Sequence, residues 1–223
     1  MAQDLFDLSD EYDRMLQQGL ALSGESKTFF IAGRLRDVLR QGFAPRRVLD
    51  FGCGTGDTAR LLREAFPGAA IVGADTAENA LDYARRHAGP GTSFVPVSAL
   101  EEEEPFDLCY VNGVFHHIAP ARRPDAMRLL HRSLRPGGRL ALFENNPWNP
   151  GTRLVMARIP FDRGAEPIAA PAARRLVRAA GFDVESTRFL FYFPRALSAL
   201  RFTERWMAGV PLGAQYHLAA RRP

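Results

Sequence analysis

VLDFGCGTGDTARLL, residues Val48 to Leu62, decides how the chain is read. An apolar run leads into three glycines at alternate positions, Gly52, Gly54 and Gly56, and a helix-like apolar spacing follows. A strand, a bare turn and a helix start together make a nucleotide-type binding corner. Glycine there permits positive φ and lets ligand atoms approach the backbone. The dinucleotide fingerprint G-x-G-x-x-G is not met, because the third glycine comes one position early and Asp57 stands where that pattern wants glycine. A nicotinamide or flavin cofactor therefore fits poorly. Asp50, just ahead of the turn, would repel a pyrophosphate and favours a ligand with a cationic or hydrogen-bond-donating part.

Outward from this corner, strands and helices alternate. Arg46–Gly52 reads as the first strand, and Asp57 is a candidate cap for a helix over Thr58–Phe66 that Pro67-Gly68 closes. Strands follow at 70–75, 92–97, 106–112 and 139–145, with helices at 77–88 and 122–134, the latter ended by Pro136-Gly137-Gly138. After a Pro-rich excursion come a helix at 171–180 and strands at 182–192 and 213–221. Upstream, residues 8–22 and 26–41 read as two helices, with Ser26 a candidate cap. The expectation is an α/β fold: a doubly wound, seven-stranded, mostly parallel sheet with an N-terminal helical cap. Within one domain, 1–44 is the cap, 45–145 the cofactor-binding core, and 146–223 the substrate-side insertion and last strands.

Five features occur in order: DFGCGTG, GAD, SFVPVSA, FDLCYVNGVFHHI and LRPGGRL. On these the chain resembles the class I S-adenosylmethionine-dependent methyltransferases, strongly over residues 45–145 and more loosely elsewhere. Asp50, Gly52, Gly54 and Gly56 match that family's first motif. The resemblance implies S-adenosylmethionine as cofactor, with Asp75 accepting from its ribose hydroxyls beside Thr76. The family often places an acidic residue near the adenine amine, but Ser98 stands there, so adenine recognition falls to Ser98, Ala99 and neighbouring backbone. Asn112 is implied to lie near the methionine end. Tyr12, in EYDRML, matches an aromatic that closes on the cofactor, although Tyr12 and Leu16 at i and i+4 also suit a buried helical stripe.

Methyl transfer from a sulfonium needs position, desolvation and sometimes a base. Candidates at the carboxyl ends of the strands are His116, as a base, and Glu144, which would orient the acceptor or cap a loop. His117 reads as structural. FENNPWNPGTR, Phe143–Arg153, reads as a rigid turn, with Glu144, Asn145, Asn146 and Trp148 on the acceptor side. Phe161, Arg163, Phe189, Phe191, Tyr192 and Phe193 are candidate acceptor contacts, although aromatics at strand alternation also suit a core. Arg158 or Arg163 could pair with an anionic group. Beyond the adjacent His116-His117 pair no ligand spacing suggests a metal.

The whole chain has 223 residues and a net charge of +4. Lys27 is its only lysine, and the arginines read as scattered, solvated surface. Glu101–Glu104 reads as a solvated loop. Cys53 and Cys109 lack metal spacing and suit a reducing cytosol. The acidic N-terminal stretch does not read as a signal peptide, and no run approaches a membrane span. The substrate expected is a small molecule, methylated at a hydroxyl or carboxyl oxygen, in natural-product, lipid-linked or saccharide biosynthesis. RNA or protein methylation, supported faintly by the basic balance, lacks a concentrated basic stripe. A non-catalytic cofactor-binding protein and a dinucleotide oxidoreductase are the other rivals. The oligomeric state is not specified by the sequence.

Overall fold

The computed structural model describes residues 19–159, 162 and 164–223. Five strands, β1 (Arg47–Phe51), β2 (Ala70–Asp75), β3 (Thr92–Pro96), β4 (Phe106–Asn112) and β5 (Leu134–Asn145), pair in parallel. The last two, β6 (Asp183–Leu190) and β7 (Gln215–Arg221), pair antiparallel, and β7 also runs antiparallel to β5. The sheet order is β3-β2-β1-β4-β5-β7-β6. The order reverses beside β1, whose neighbours are β2 and β4. In an open α/β sheet that switch leaves a crevice at the carboxyl ends of the strands.

Both faces are covered, which is why the central strands read as continuous apolar runs. Successive side chains alternate between faces. Leu49, Val72, Cys109, Val111, Leu140 and Leu142 pack with Met127 and Leu130 of α4 (Arg123–Ser133) and with Ala173 and Val177 of α6 (Ala170–Ala179). Val48, Ile71, Leu108, Tyr110, Ala141 and Phe143 form the other face with α1 (Lys27–Leu39), α2 (Asp57–Ala65) and α3 (Glu78–Arg86). Ser26 caps α1 by accepting from Phe29 N at 3.2 Å.

Four local readings change. Gly56, not Asp57, is the cap residue of α2, and Asp57 opens the helix with its carboxylate on Lys27. β5 begins at Leu134, so Pro136-Gly137-Gly138 lies inside a strand, where Leu134 pairs with Phe106 and the register then shifts. The Pro-rich excursion contains a further helix, α5 (Pro150–Arg158). Of the expected helix at 8–22, residues 8–18 lie outside the described residues, and Ala21–Ser23 form a 3-10 turn. Among the described residues no helix is long and apolar enough to cross a membrane.

Candidate active site

The glycine loop closes the crevice at the β1 end. Gly52 N and Cys53 N both donate to Ala74 O of β2, at 2.7 and 3.1 Å. Asp75, ending β2, ties the loop down: its Oδ2 accepts from Gly54 N at 2.8 Å, and its Oδ1 from Thr76 N at 2.7 Å and Ala77 N at 3.0 Å. Gly54 holds φ +51°, and a Cβ built there would meet nothing within 4 Å, so its open side faces free space. Asp50, fully enclosed behind the turn, has its pKa pushed up to about 7, by burial first and by the Asp75 charge second, with Arg34 opposing. Its Oδ2 has no donor, and the same holds for the buried Oδ1 of Asn112.

A cavity of about 640 Å³ opens beside this loop. Its lining includes Gly52, Gly54, Asn112 and His116, together with Phe29 and Phe30 of α1, Leu154 and Ile159 around α5, and Phe191 to Phe193. Phe191 holds φ +62°, the one non-glycine residue with positive φ among those described. That bend turns its ring against Phe30, at 5.0 Å between centroids, and over Gly33. Tyr192 and Phe193 follow it into the wall, whereas Phe189 is buried in the core. Arg34 reaches the cavity from α1 and is only 5% exposed; its Nε donates to Tyr110 Oη and its Nη1 to Gln215 Oε1.

The polar end of the cavity follows β4. Glu144 is fully buried and does not line the cavity. It accepts from Phe115 N at 2.7 Å and pairs with His116 Nδ1 at 2.6 Å. The acceptor-orienting reading of Glu144 is thereby corrected: its carboxylate caps the loop and positions His116. Asp162, from the segment after α5, brings Oδ1 to 3.7 Å from His116 Nε2 and 3.4 Å from His117 Nε2. Burial disfavours the His116 cation, yet Glu144 and Asp162 outweigh it and raise the pKa to about 10. These partners favour the charged ring, a donor at Nε2, over the expected base. His117, pressed by burial and by the His116 charge, falls to about 4 and stays neutral at pH 7.

Arg123 staples this loop. Its Nε donates to Phe115 O and Ile118 O, both at 2.9 Å, and its Nη2 to Glu166 O at 2.5 Å. Glu166 N in turn donates to His116 O at 2.8 Å. Arg34 and Arg123 thus depart from the solvated-arginine reading, and Asp162 was missed altogether. Nothing in the local sequence marked Asp162, because its partners are more than forty positions away. The signal that could have marked Arg34 is its place on the apolar face of α1, beside Ile31, Leu35 and Val38.

Other expected residues sit elsewhere. Thr76 and Ser98 are exposed and Ala99 half-buried at the β2 and β3 ends, and with Asp75 they lie outside this cavity. Gly56 packs against Phe94 instead of facing the cavity. Asn145 lines the cavity, but Asn146 is buried and holds the turn through Pro211 O and Gly213 O. Trp148 is half exposed outside the wall. Arg158 is exposed. Tyr12, Leu16, Phe161 and Arg163 lie outside the described residues. Cys53 and Cys109 are buried free thiols, which burial pushes far up from the ordinary range.

Known proteins resemble the chain at two levels. A methyltransferase-domain family model matches residues 48–138. The trans-aconitate 2-methyltransferase of Methylobacterium nodulans is 36% identical over 190 residues, 76% of this chain and 69% of that one. The demethylmenaquinone methyltransferase of Thermus thermophilus is 39% identical over 126 residues, 54% of this chain. The chain spans little more than half, 56%, of that relative's length. In structure, an S-adenosylmethionine-dependent methyltransferase from Archaeoglobus fulgidus aligns at TM-score 0.70 and 18% identity, over 91% of this chain and 97% of that one. A possible histamine N-methyltransferase from Thermotoga maritima aligns at TM-score 0.68 and 18% identity over the whole of both chains. At such identities the structural likeness speaks for the fold.

Proposed function

The chain belongs to the class I S-adenosylmethionine-dependent methyltransferases, and we propose that it methylates an oxygen of a small, largely apolar acceptor held in the cavity beside Gly52 and Gly54. The residues fit the cofactor. The open side of Gly54 leaves room for close approach to the backbone. Asn112 Oδ1, buried without a donor in a residue that lines the cavity, suits a ligand that carries an ammonium group, and Asp50 behind the turn adds a carboxylate beneath it. We assign Gly52, Gly54 and Asn112 to its methionine end. Asp75 with Thr76, and Ser98 with Ala99, take the ribose and adenine sides.

When bound, S-adenosylmethionine supplies the activated methyl group, so the chain itself must provide position and a dry surround. The observation that carries the acceptor reading is the mixed lining of the cavity. Phe29, Phe30, Phe191 and Ile159 offer an apolar seat, while His116, His117 and Asp162 offer donors and acceptors for one polar atom. A hydroxyl placed there has His116 to donate to its oxygen, and His117 and Asp162 to accept its proton. Glu144 and Arg123 hold that end still. Kinship with the trans-aconitate 2-methyltransferases favours a second reading, a carboxylate acceptor facing His116 and Arg34.

The test is product mass. Purified protein with S-adenosylmethionine is offered phenols, quinols, trans-aconitate and total RNA. One methyl group added to an oxygen of a small molecule supports the proposal, and the methyl ester of trans-aconitate selects the second reading. Labelled methyl appearing only in RNA or protein, or in nothing from a whole cell extract, overturns it.

A further inference from the structure

His116 and His117 alone make no ligand set, since adjacent residues supply two donors at most. Folding adds a third from far along the chain. Asp162 Oδ1 lies 3.7 Å from His116 Nε2 and 3.4 Å from His117 Nε2, and one ligand atom from each of the three residues falls within 4.8 Å of the others. These separations are long for direct hydrogen bonds. They lie close to the roughly 3.3–3.6 Å between donors that each sit about 2.0–2.2 Å from one tetrahedral ion. Asp162 is 8% exposed, and its Oδ1 is buried with no hydrogen-bond donor. A buried carboxylate oxygen without a donor is costly, and His116 Nε2 lies too far away to donate to it.

The surroundings already have the form that metal-binding histidines need. Glu144 holds His116 Nδ1 at 2.6 Å, which leaves Nε2 turned toward Asp162. A carboxylate behind a histidine fixes the ring and raises its basicity as a ligand. The two ligand-bearing segments are joined by Glu166 N donating to His116 O and by Arg123 bridging Phe115 O, Ile118 O and Glu166 O. All three ligand residues line the cavity.

We propose that His116, His117 and Asp162 form a three-ligand site for a divalent transition metal, with its open position facing the acceptor space. Two imidazoles and one carboxylate suit zinc, cobalt or iron(II) rather than magnesium or calcium, which prefer oxygen ligands. Three protein ligands and one open position is the form in which an ion can hold a substrate oxygen. An ion there would displace the Nε2 proton of His116 and take over the contact of these three residues with the acceptor oxygen; its binding does not depend on which acceptor is used.

The test is cobalt(II) titration of the chelator-stripped protein, followed by visible absorption and by calorimetry, with zinc(II) competition and magnesium(II) as control. Expected are a single saturable equivalent, a cobalt spectrum that zinc abolishes, and no response to magnesium. Asp162→Asn and His117→Gln, checked for folding by circular dichroism, should each bind cobalt at least tenfold more weakly. Glu144→Gln should weaken it roughly tenfold to a hundredfold. No saturable cobalt binding by the wild-type protein overturns the proposal, as does wild-type affinity in both Asp162→Asn and His117→Gln. Loss of methyl transfer would leave this binding readout unmoved, so the two readings fail separately.

Discussion

Gly54 and Gly52 share positive φ but answer to different neighbours. At Gly54 a Cβ would enter open space, whereas at Gly52 it would lie 2.3 Å from Val114 Cγ2. Gly54→Val should therefore fold, at a cost of about 1–2 kcal/mol for a side chain in the left-handed region. We expect it to bind S-adenosylmethionine at least ~100-fold more weakly, about 2.7 kcal/mol, by calorimetry. Gly52→Val should instead show its damage in the melting temperature, because Val114 must move. Asp75 was expected to meet the ribose, yet in the structure its carboxylate also organises three backbone N–H groups. Asp75→Ala removes those acceptors and should weaken cofactor binding by roughly 1.5–3 kcal/mol, the range for bonds to a charged group. A loss below about 0.5 kcal/mol in calorimetry would mean that neither the loop nor the ribose depends on it.

The elements that shape the acceptor side were the least legible. α5 was read as a rigid loop because two prolines and a glycine dominate NPWNPGTR. The signal was nevertheless present: Asn149 accepts from Thr152 N at 2.8 Å, and Pro150 takes the first helical position. The turn before it did read correctly, with Asn146 Oδ1 accepting from Trp148 N. β6 leaves the sheet through Phe191, whose positive φ is costly for an aromatic residue and has no mark in the sequence. The loop between β4 and α4 depends on Arg123, the first residue of α4. Arg123→Ala should leave three carbonyls short of a donor and destabilise the fold by about 1–3 kcal/mol, measured by urea unfolding. It should also slow methyl transfer more than it weakens cofactor binding, because the cofactor corner is not among its partners. Equal losses in both would show that the staple acts on the whole crevice.

Across the molecule, Asp37 joins α1 to the antiparallel end of the sheet. Its Oδ2 pairs with His217 Nδ1 of β7 at 2.7 Å, and its Oδ1 with Arg188 Nε of β6 at 3.1 Å, with Arg40 near at 3.7 Å. Burial would raise its pKa, but these partners outweigh burial and lower it below 3.8. A carboxylate whose folded pKa is depressed adds stability that is complete above its unfolded pKa, about 3.9, and lost as pH falls through the folded value. Chemical unfolding at a series of pH values should show that loss below about pH 4. Asp37→Asn should flatten this part of the curve while lowering stability at neutral pH; an unchanged acid slope would remove Asp37 from the account. The same scale separates what each source of information decided. Sequence alone determined the parallel core and the bare corner between β1 and α2, because those follow from short apolar runs and glycine spacing within short stretches, and its five ordered motifs carried the resemblance that implied the cofactor. Tertiary structure alone decided that Glu144 grips His116, that Arg34 and Arg123 are buried, and that Asp162 meets two histidines. Those are contacts between residues 28 to 76 positions apart or joined across loops, and local pattern carries no information about which distant charges a fold will bring face to face.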